Sequence, residues 1–417
     1  MPLRSRWPAL VIGAGSAGLS ASYHLKERGI EHEVLERSRV ADSWASRRWD
    51  SFTLVTPNWS VMLPGRPYAG SDPDGYLRRD EVVAHLEGYA RAFDLPVRAG
   101  VDVRHLRPMD SAGGWELDTS KGHLAAENVI VATGAFPEPR VLPSSSSLAP
   151  RVRQLHTSEY RNPGALPRGS ALVVGSGQSG VQVAEDLLEA GREVLLAVGS
   201  CPRAPRRYRG KDIYSWILES GFMDMRLTDL PSPRMRLACN PQLTGRGGGH
   251  DLDVWGLARR GAALLGRFVR ADGERVEFAD DLELTLETSE KMTRKFLGDI
   301  DEYIASAGLD APPAAQQAFD FALPEQPRRS FIDLGALGVS TVIWATGFRP
   351  SYPWIEGCAF DPDGFPVTDR GVTASPGLYF VGIHLLHTRR SGLLVGVGED
   401  AEHVAGHVAD RVRPLRR

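Results

Sequence analysis

Two stretches of this chain, ALVIGAGSAG at residues 9–18 and ALVVGSGQSG at 171–180, share one ten-position pattern. In each, an apolar run leads into Gly-x-Gly-x-x-Gly: Gly13, Gly15 and Gly18 in the first copy, Gly175, Gly177 and Gly180 in the second. Between a strand and a helix, that spacing suits the binding of a pyrophosphate. The first glycine permits a tight turn, the second lets the backbone approach the phosphates, and the third lets helix and strand pack closely. The unpaired amides and positive dipole end of the following helix then face the anion. Ser16 and Ala17 are therefore expected against one dinucleotide, and Ser176, Gln178 and Ser179 against another.

The copies differ beyond the glycines. Glu36 follows Gly13 by 23 residues, at the end of the next strand, with Arg37 beside it. A carboxylate there can accept hydrogen bonds from the hydroxyls of an adenosine ribose. The same offset from Gly175 lands on Val198, with no acid nearby; Ser200, Arg203, Arg206 and Arg207 follow. A guanidinium cluster suits a 2'-phosphate that an acid would repel. The first pocket is thus expected to take FAD and the second NADPH, a pairing made for two-electron transfer. The plainer alternatives are a solvated strand-end carboxylate and a solvated arginine loop.

The elements that must position these residues follow from periodicity. Residues 9–13 form a strand, SASYHLKERG a helix stopped by Gly29, and HEVLE a second strand ending at Glu36; residues 171–198 repeat the unit. Further on come a helix at 80–93, a strand-rich stretch at 97–118 and NVIVATGAFPEP at 128–139. The loop TGRGGGHDLD at 244–253 reads either as a mobile lid or as a flexible approach to a helix capped by Asp253. Asp272-Gly273 is a hairpin turn, and a charged amphipathic helix covers 282–307. STVIWATGFRP at 340–350 echoes NVIVATGAFPEP, so Ala132, Thr133 and Gly134 are placed at FAD and Ala345, Thr346 and Gly347 at NADPH. The expected class is α/β, with two Rossmann-like dinucleotide-binding domains. Residues 1–157 and 335–417 form a discontinuous FAD domain, and 158–334 an inserted NADPH domain with a helical and loop insertion.

Composition narrows the class. Hydrophobic residues at 42%, charged residues at 24% and a net charge of -3 give no general attraction to nucleic acid or anionic membrane. No uncharged apolar run is long enough to span a bilayer. Cys201, Cys239 and Cys358 are widely spaced, with no Cys-x-x-Cys pair, so neither a disulfide framework nor a dithiol centre is expected. A reducing, cytoplasmic setting, no metal, a small-molecule partner and a monomer or homodimer are the corresponding expectations.

Motifs spread over nearly the whole length then resemble the class B flavin-dependent monooxygenases, most closely the CzcO-like flavoproteins. They are GAGSAG, the tract WASRRWDSFTLVTPNWSVMLPG at 44–65, VATGAF, GSGQSG, GRGGGHDLD, IWATGFRP and LYFVGIHLLHTRRSGLLVGVGEDA at 378–401. The middle region is also similar to flavoproteins of nitrilase-associated gene clusters. The resemblance implies that NADPH reduces FAD, O2 adds to give a C4a-(hydro)peroxide, and oxygen passes to a small substrate at N, S or a carbonyl. It places Trp44, Arg48, Thr56 and Val103 at FAD; Gly396 and Val397, in a glycine-rich opening of a helix, can face amides to the pyrimidine end of a flavin, and Asn58 is either a hydrogen-bond donor to a flavin peroxide oxygen or a turn residue after proline. Arg389, Arg390 and Ser391 would shape the isoalloxazine pocket. The family's linker fingerprint survives at His156 and Tyr160, but Pro150 and Val152 stand where Phe and Gly are usual, which weakens a Baeyer-Villiger assignment. His156 reads as either a hinge or packing residue or a proton carrier. Competing readings are a pyridine nucleotide-disulfide reductase, an FAD/NADPH oxidase or reductase without oxygen insertion, and a non-catalytic redox sensor.

Overall fold

The computed structural model describes residues 6–109, 113–135, 137–326 and 328–412. The first five residues, Phe136 of the VATGAF segment and the last five lie outside it. The first part of the chain lays down β1 (Arg6–Ile12), α1 (Ser16–Glu27), β2 (His32–Glu36), α2 (Arg79–Ala92), β3 (Val97–Ala99), β4 (Val103–Pro108), β5 (Trp115–Thr119) and β6 (Gly122–Val131). The middle adds β7 (Arg153–His156), β8 (Ser170–Val174), α3 (Gln178–Glu189), β9 (Val194–Ala197), α4 (Ile213–Glu219), β10 (Ala263–Leu265), α5 (Leu282–Ser306) and β11 (Val339–Trp344). The chain returns through β12 (Leu378–Phe380) and α6 (Val397–Val412).

These strands build two sheets on one plan. In the first, β12, β6, β1, β2 and β3 run parallel in that order, with β4 and β5 as an antiparallel extension on β6. In the second, β7, β11, β8, β9 and β10 are all parallel. The central strands are near-continuous apolar runs, β8 being buried at every residue, because helices cover both faces of a parallel sheet. Each fully buried Val or Leu contributes about 1.5–3 kcal/mol. On α6 the buried Val397, Ala401, Val404, Ala405 and Val408 form one stripe at helical spacing. At the end of β12, Gly382 meets α1 so closely that a Cβ there would stand 2.4 Å from the Ala17 Cβ.

Several expectations hold: α2 and α5 occupy the anticipated helices, and Asp272-Gly273 turns an antiparallel hairpin that pairs Asp272 with Arg275. Two change. The IWATG strand was grouped with the first unit, as was the segment before residue 158, yet β7 and β11 both pair in the second sheet, with Val173 opposite Ile343. The second unit therefore begins before His156 and extends through Trp344. The physical reason is the edge of β8, which needs a parallel neighbour on the side away from β9. The cysteines also differ from expectation, since Cys201 and Cys239 form a disulfide with a Cα–Cα distance of 5.4 Å, and Cys358 is free.

Candidate functional site

At the first turn, Gly13 has φ +105°, and a Cβ on it would lie 2.6 Å from the carbonyl oxygen of Ala132. A Cβ on Gly18 would strike the Gly13 oxygen at 1.8 Å, whereas a Cβ on Gly15 would meet nothing within 4 Å. The turn is thus closed toward the sheet and open above Gly15, the side a pyrophosphate must reach. Glu36 is buried at the end of β2; its Oε2 accepts from the Ala14 amide and its Oε1 from the Ser38 amide, both at 2.9 Å. Its carboxylate is held beside the turn. Arg37 is exposed next to it, and Val101, just before Val103 opens β4, donates its amide to the Glu36 carbonyl at 2.9 Å. Thr133 and Gly134 follow Ala132 off the end of β6.

The 44–65 tract closes over this end of the sheet. The Arg48 guanidinium lies 5.4 Å from the Trp44 ring centroid and 5.5 Å from that of Phe52. Burial, with the Arg47 charge adding to it, lowers its pKa to about 10. Thr56 is half-buried. Asn58 is buried; its Nδ2 donates to the Asp72 carbonyl at 2.9 Å, and its Oδ1 accepts from the Leu77 amide at 2.6 Å. The acceptor and one donor of the amide thereby hold the 72–77 loop. The Met62 amide donates to the Leu394 carbonyl, and a Cβ on Gly398 would press on Pro64, so the tract meets Gly396 and Val397 at the start of α6.

The second turn repeats the first. Gly175 has φ +104° and a Cβ on it would lie 2.6 Å from the Ala345 oxygen. A Cβ on Gly180 would lie 1.9 Å from the Gly175 oxygen. Ala345 therefore serves this turn as Ala132 serves the other. Ser176 Oγ donates to the Gly199 carbonyl and accepts from the Gly199 amide. Gln178 brackets the Leu243 backbone from both sides, and Gln242 Nε2 donates to the Ser176 carbonyl at 2.6 Å. Gly347 accepts from His156 Nε2 at 3.0 Å, while His156 Nδ1 accepts from the Ser158 amide at 3.2 Å. Burial lowers the pKa of this imidazole, and both ring nitrogens are engaged. His156 ties β7 to the segment after β11. Thr346 is half-buried and donates its hydroxyl to the Arg140 carbonyl.

The arginine cluster does not assemble as expected. Arg203 is buried, paired with Asp253 at 2.9 Å, donating to the Ala318 carbonyl at 2.8 Å and facing Phe321 and Trp255. Arg206 is also buried; it pairs with Asp212 and donates to the Val55 carbonyl at 2.8 Å. Both cations are drawn inward and paired with carboxylates, so neither is presented at the surface to a 2'-phosphate. Arg207 and Ser200 alone of the group are exposed.

The glycine-rich loop is bonded along its length. Arg246 pairs with Asp186 and Glu189, His250 with Glu185 at 2.7 Å, and Asp253 caps the following helix by accepting from the Gly256 amide at 2.7 Å. Glu185 and Asp186, both buried on α3, went unnoticed in the sequence. The signal was two adjacent acids inside an otherwise apolar helical face. Tyr160 and Ser51 donate to Asp186 at 2.6 and 2.7 Å, so this carboxylate ties the 44–65 tract to the second sheet.

Comparison with known proteins gives the same outline. A family model described as pyridine nucleotide-disulphide oxidoreductase matches residues 10–220. The chain is 33% identical over 406 residues to an uncharacterized CzcO-like oxidoreductase of Geobacillus kaustophilus, covering 96% of this chain and 97% of the relative. A flavin-containing monooxygenase from Stenotrophomonas maltophilia has the same fold, with TM-score 0.67 at 20% identity over 98% of this chain and all of that one. OTEMO in complex with FAD and NADP superposes with TM-score 0.57 at 16% identity, covering 96% of this chain and 85% of that one.

Proposed function

From the premise that the chain belongs to the pyridine nucleotide-disulphide oxidoreductase family and is class B flavin monooxygenase-like, we propose that it is an NADPH- and FAD-dependent monooxygenase of a small organic substrate. In this reading the NADPH-binding Rossmann-like unit is inserted into the FAD-binding one. The observation that carries it is the doubled cradle, two glycine turns closed toward their sheets by the carbonyls of Ala132 and Ala345. The residues fit the groups. Above Gly15 the space is open, and Glu36 presents an ordered acceptor suited to ribose hydroxyls and hostile to a 2'-phosphate. The second turn has Val198 in place of that acid, with Ser200 and Arg207 exposed nearby.

Bound in these cradles, the two cofactors supply hydride transfer from nicotinamide to flavin and flavin-based activation of O2. The chain's own residues bind and orient. Amides at the starts of α1 and α3 take the pyrophosphates, and the start of α6, where the Gly396 and Val397 amides donate to the Leu393 carbonyl at 3.1 and 2.9 Å, turns its positive dipole end toward the electron-rich end of the flavin. Trp44 and Phe52 shield the site from water around the Arg48 cation, and Asn58 sets the loop that approaches it. Substrate oxygenation is tested by adding NADPH to the yellow protein without air, then admitting isotopically heavy O2 with amines, sulfides, imines, ketones or keto acids. Flavin bleaching followed by one heavy oxygen in a product is expected. Bleaching that yields hydrogen peroxide alone would make the protein an oxidase, and no bleaching would leave it a redox sensor.

A further inference from the structure

The two glycine turns match in backbone and differ in what lies over them. A Cβ on Gly15 would meet nothing within 4 Å, but one on Gly177, the equivalent position, would lie 3.5 Å from Cys239 Sγ. This second glycine of the motif is the one kept free of a side chain so that a pyrophosphate can approach. The sulfur is held there by its disulfide to Cys201, which is buried just after β9 and whose amide donates to Ser289 Oγ at 3.0 Å. Cys239 is half-exposed. The neighbouring residues are anchored independently: Gln242 donates its amide to the Pro202 carbonyl at 2.9 Å and its side chain to Ser176. Within residues 239–240, the disulfide is thus the covalent clasp that keeps sulfur over the seat.

We propose that Cys201–Cys239 is a thiol–disulfide modification site controlling the second dinucleotide cradle: the disulfide form obstructs the pyrophosphate seat and the dithiol form opens it. The co-reactant is a low-molecular-weight thiol, RSH. Its thiolate attacks Cys239 Sγ, the exposed sulfur; the Sγ–Sγ bond breaks and its electron pair leaves on Cys201, which takes up a proton. A second RSH then displaces Cys239 from the mixed disulfide. The protein disulfide gains two electrons and two protons, and two RSH become RSSR.

The inference rests on the second cradle being the NADPH site, and the test separates the two. FAD-loaded full-length protein is reduced with dithiothreitol or oxidised with diamide, its thiols are counted by mass after alkylation, and NADP+ affinity is measured by calorimetry. Three thiols are expected after reduction and one, Cys358, after oxidation, with NADP+ bound at least about tenfold more weakly by the oxidised form because the competent state is depleted. Cys239→Ser and Cys201→Ser each remove the clasp and should bind tightly whatever the redox treatment; Cys358→Ser should behave as the native chain. Three free thiols after diamide, equal affinities in the two redox forms, or a Cys239→Ser variant as weak as the oxidised native protein would overturn the proposal. Absence of NADP+ binding in every form would instead sink the assignment of the second cradle, and this inference with it.

Discussion

The carbonyl oxygen of Ala345 lies 2.6 Å from where a Cβ on Gly175 would stand, and Ala132 is placed identically over Gly13. Each pair joins a turn to the strand beside it, and each glycine has φ near +105°, where side chains are strained. Gly13→Ala and Gly175→Ala should therefore both destabilise the fold, by about 1–3 kcal/mol from backbone strain and more from the carbonyl contact. Gly15→Ala meets nothing within 4 Å and should leave the melting temperature of the flavin-free protein unchanged while lowering bound FAD. Thermal unfolding with flavin absorbance per protein separates the two effects; a Gly15→Ala protein that keeps full flavin would count against the first cradle.

Glu36 gives a second test. Its two oxygens hold the Ala14 and Ser38 amides, and Gln would present an NH2 to one of them. Glu36→Gln should cost about 1.5–3 kcal/mol in stability, the range for hydrogen bonds to charged groups, and reduce flavin occupancy on purification. Retention of both native stability and native flavin would show that the carboxylate is a solvated strand end.

The arginines now separate by burial. Removing Arg203 or Arg206 leaves Asp253 or Asp212 without its cation, at a cost of about 3–5 kcal/mol for a broken buried pair. Arg203→Ala and Arg206→Ala should lower the melting temperature and weaken NADPH and NADH alike. Arg207→Ala should leave stability unchanged and narrow the preference for NADPH. Dissociation constants for both coenzymes decide it; a selective NADPH loss in Arg203→Ala would restore the original cluster.

What could be read in the sequence was short-range. The glycine spacings and the offset of Glu36 are local, and a tight turn beside a strand admits few other residues. The allegiance of β11 was not legible because Val173 and Ile343 pair across most of the second unit. IWATG echoed VATGAF because both strands must present an alanine carbonyl to a glycine turn, not because both belong to one sheet. Arg203 and Arg207 look alike in one dimension; only the fold brings Asp253 to the first and leaves the second in solvent. The Cys201–Cys239 bond joins positions 38 apart whose approach depends on the loop crossing the second turn.

The His250–Glu185 pair gives the glycine-rich loop a pH dependence. The hydrogen bond to Glu185 raises the pKa of His250 above its ordinary 6.5, against opposing burial. Burial pushes the Glu185 carboxyl up, but His250 and Arg260 outweigh it and hold it below its ordinary 4.5. The histidine's contribution to stability is therefore complete below pH 6.5 and lost as pH rises through its folded pKa. The carboxylate's contribution is complete above pH 4.5 and lost as pH falls through its own. With the His250 side chain 42% exposed, solvent screening limits the pair to about 1 kcal/mol. His250→Gln should accordingly lower the melting temperature at pH 6 and converge with the native chain as pH rises through the histidine's folded pKa. A gap that stays constant, or widens as pH rises, would mean that His250 holds the loop as a neutral hydrogen-bonding group and that its charge contributes nothing.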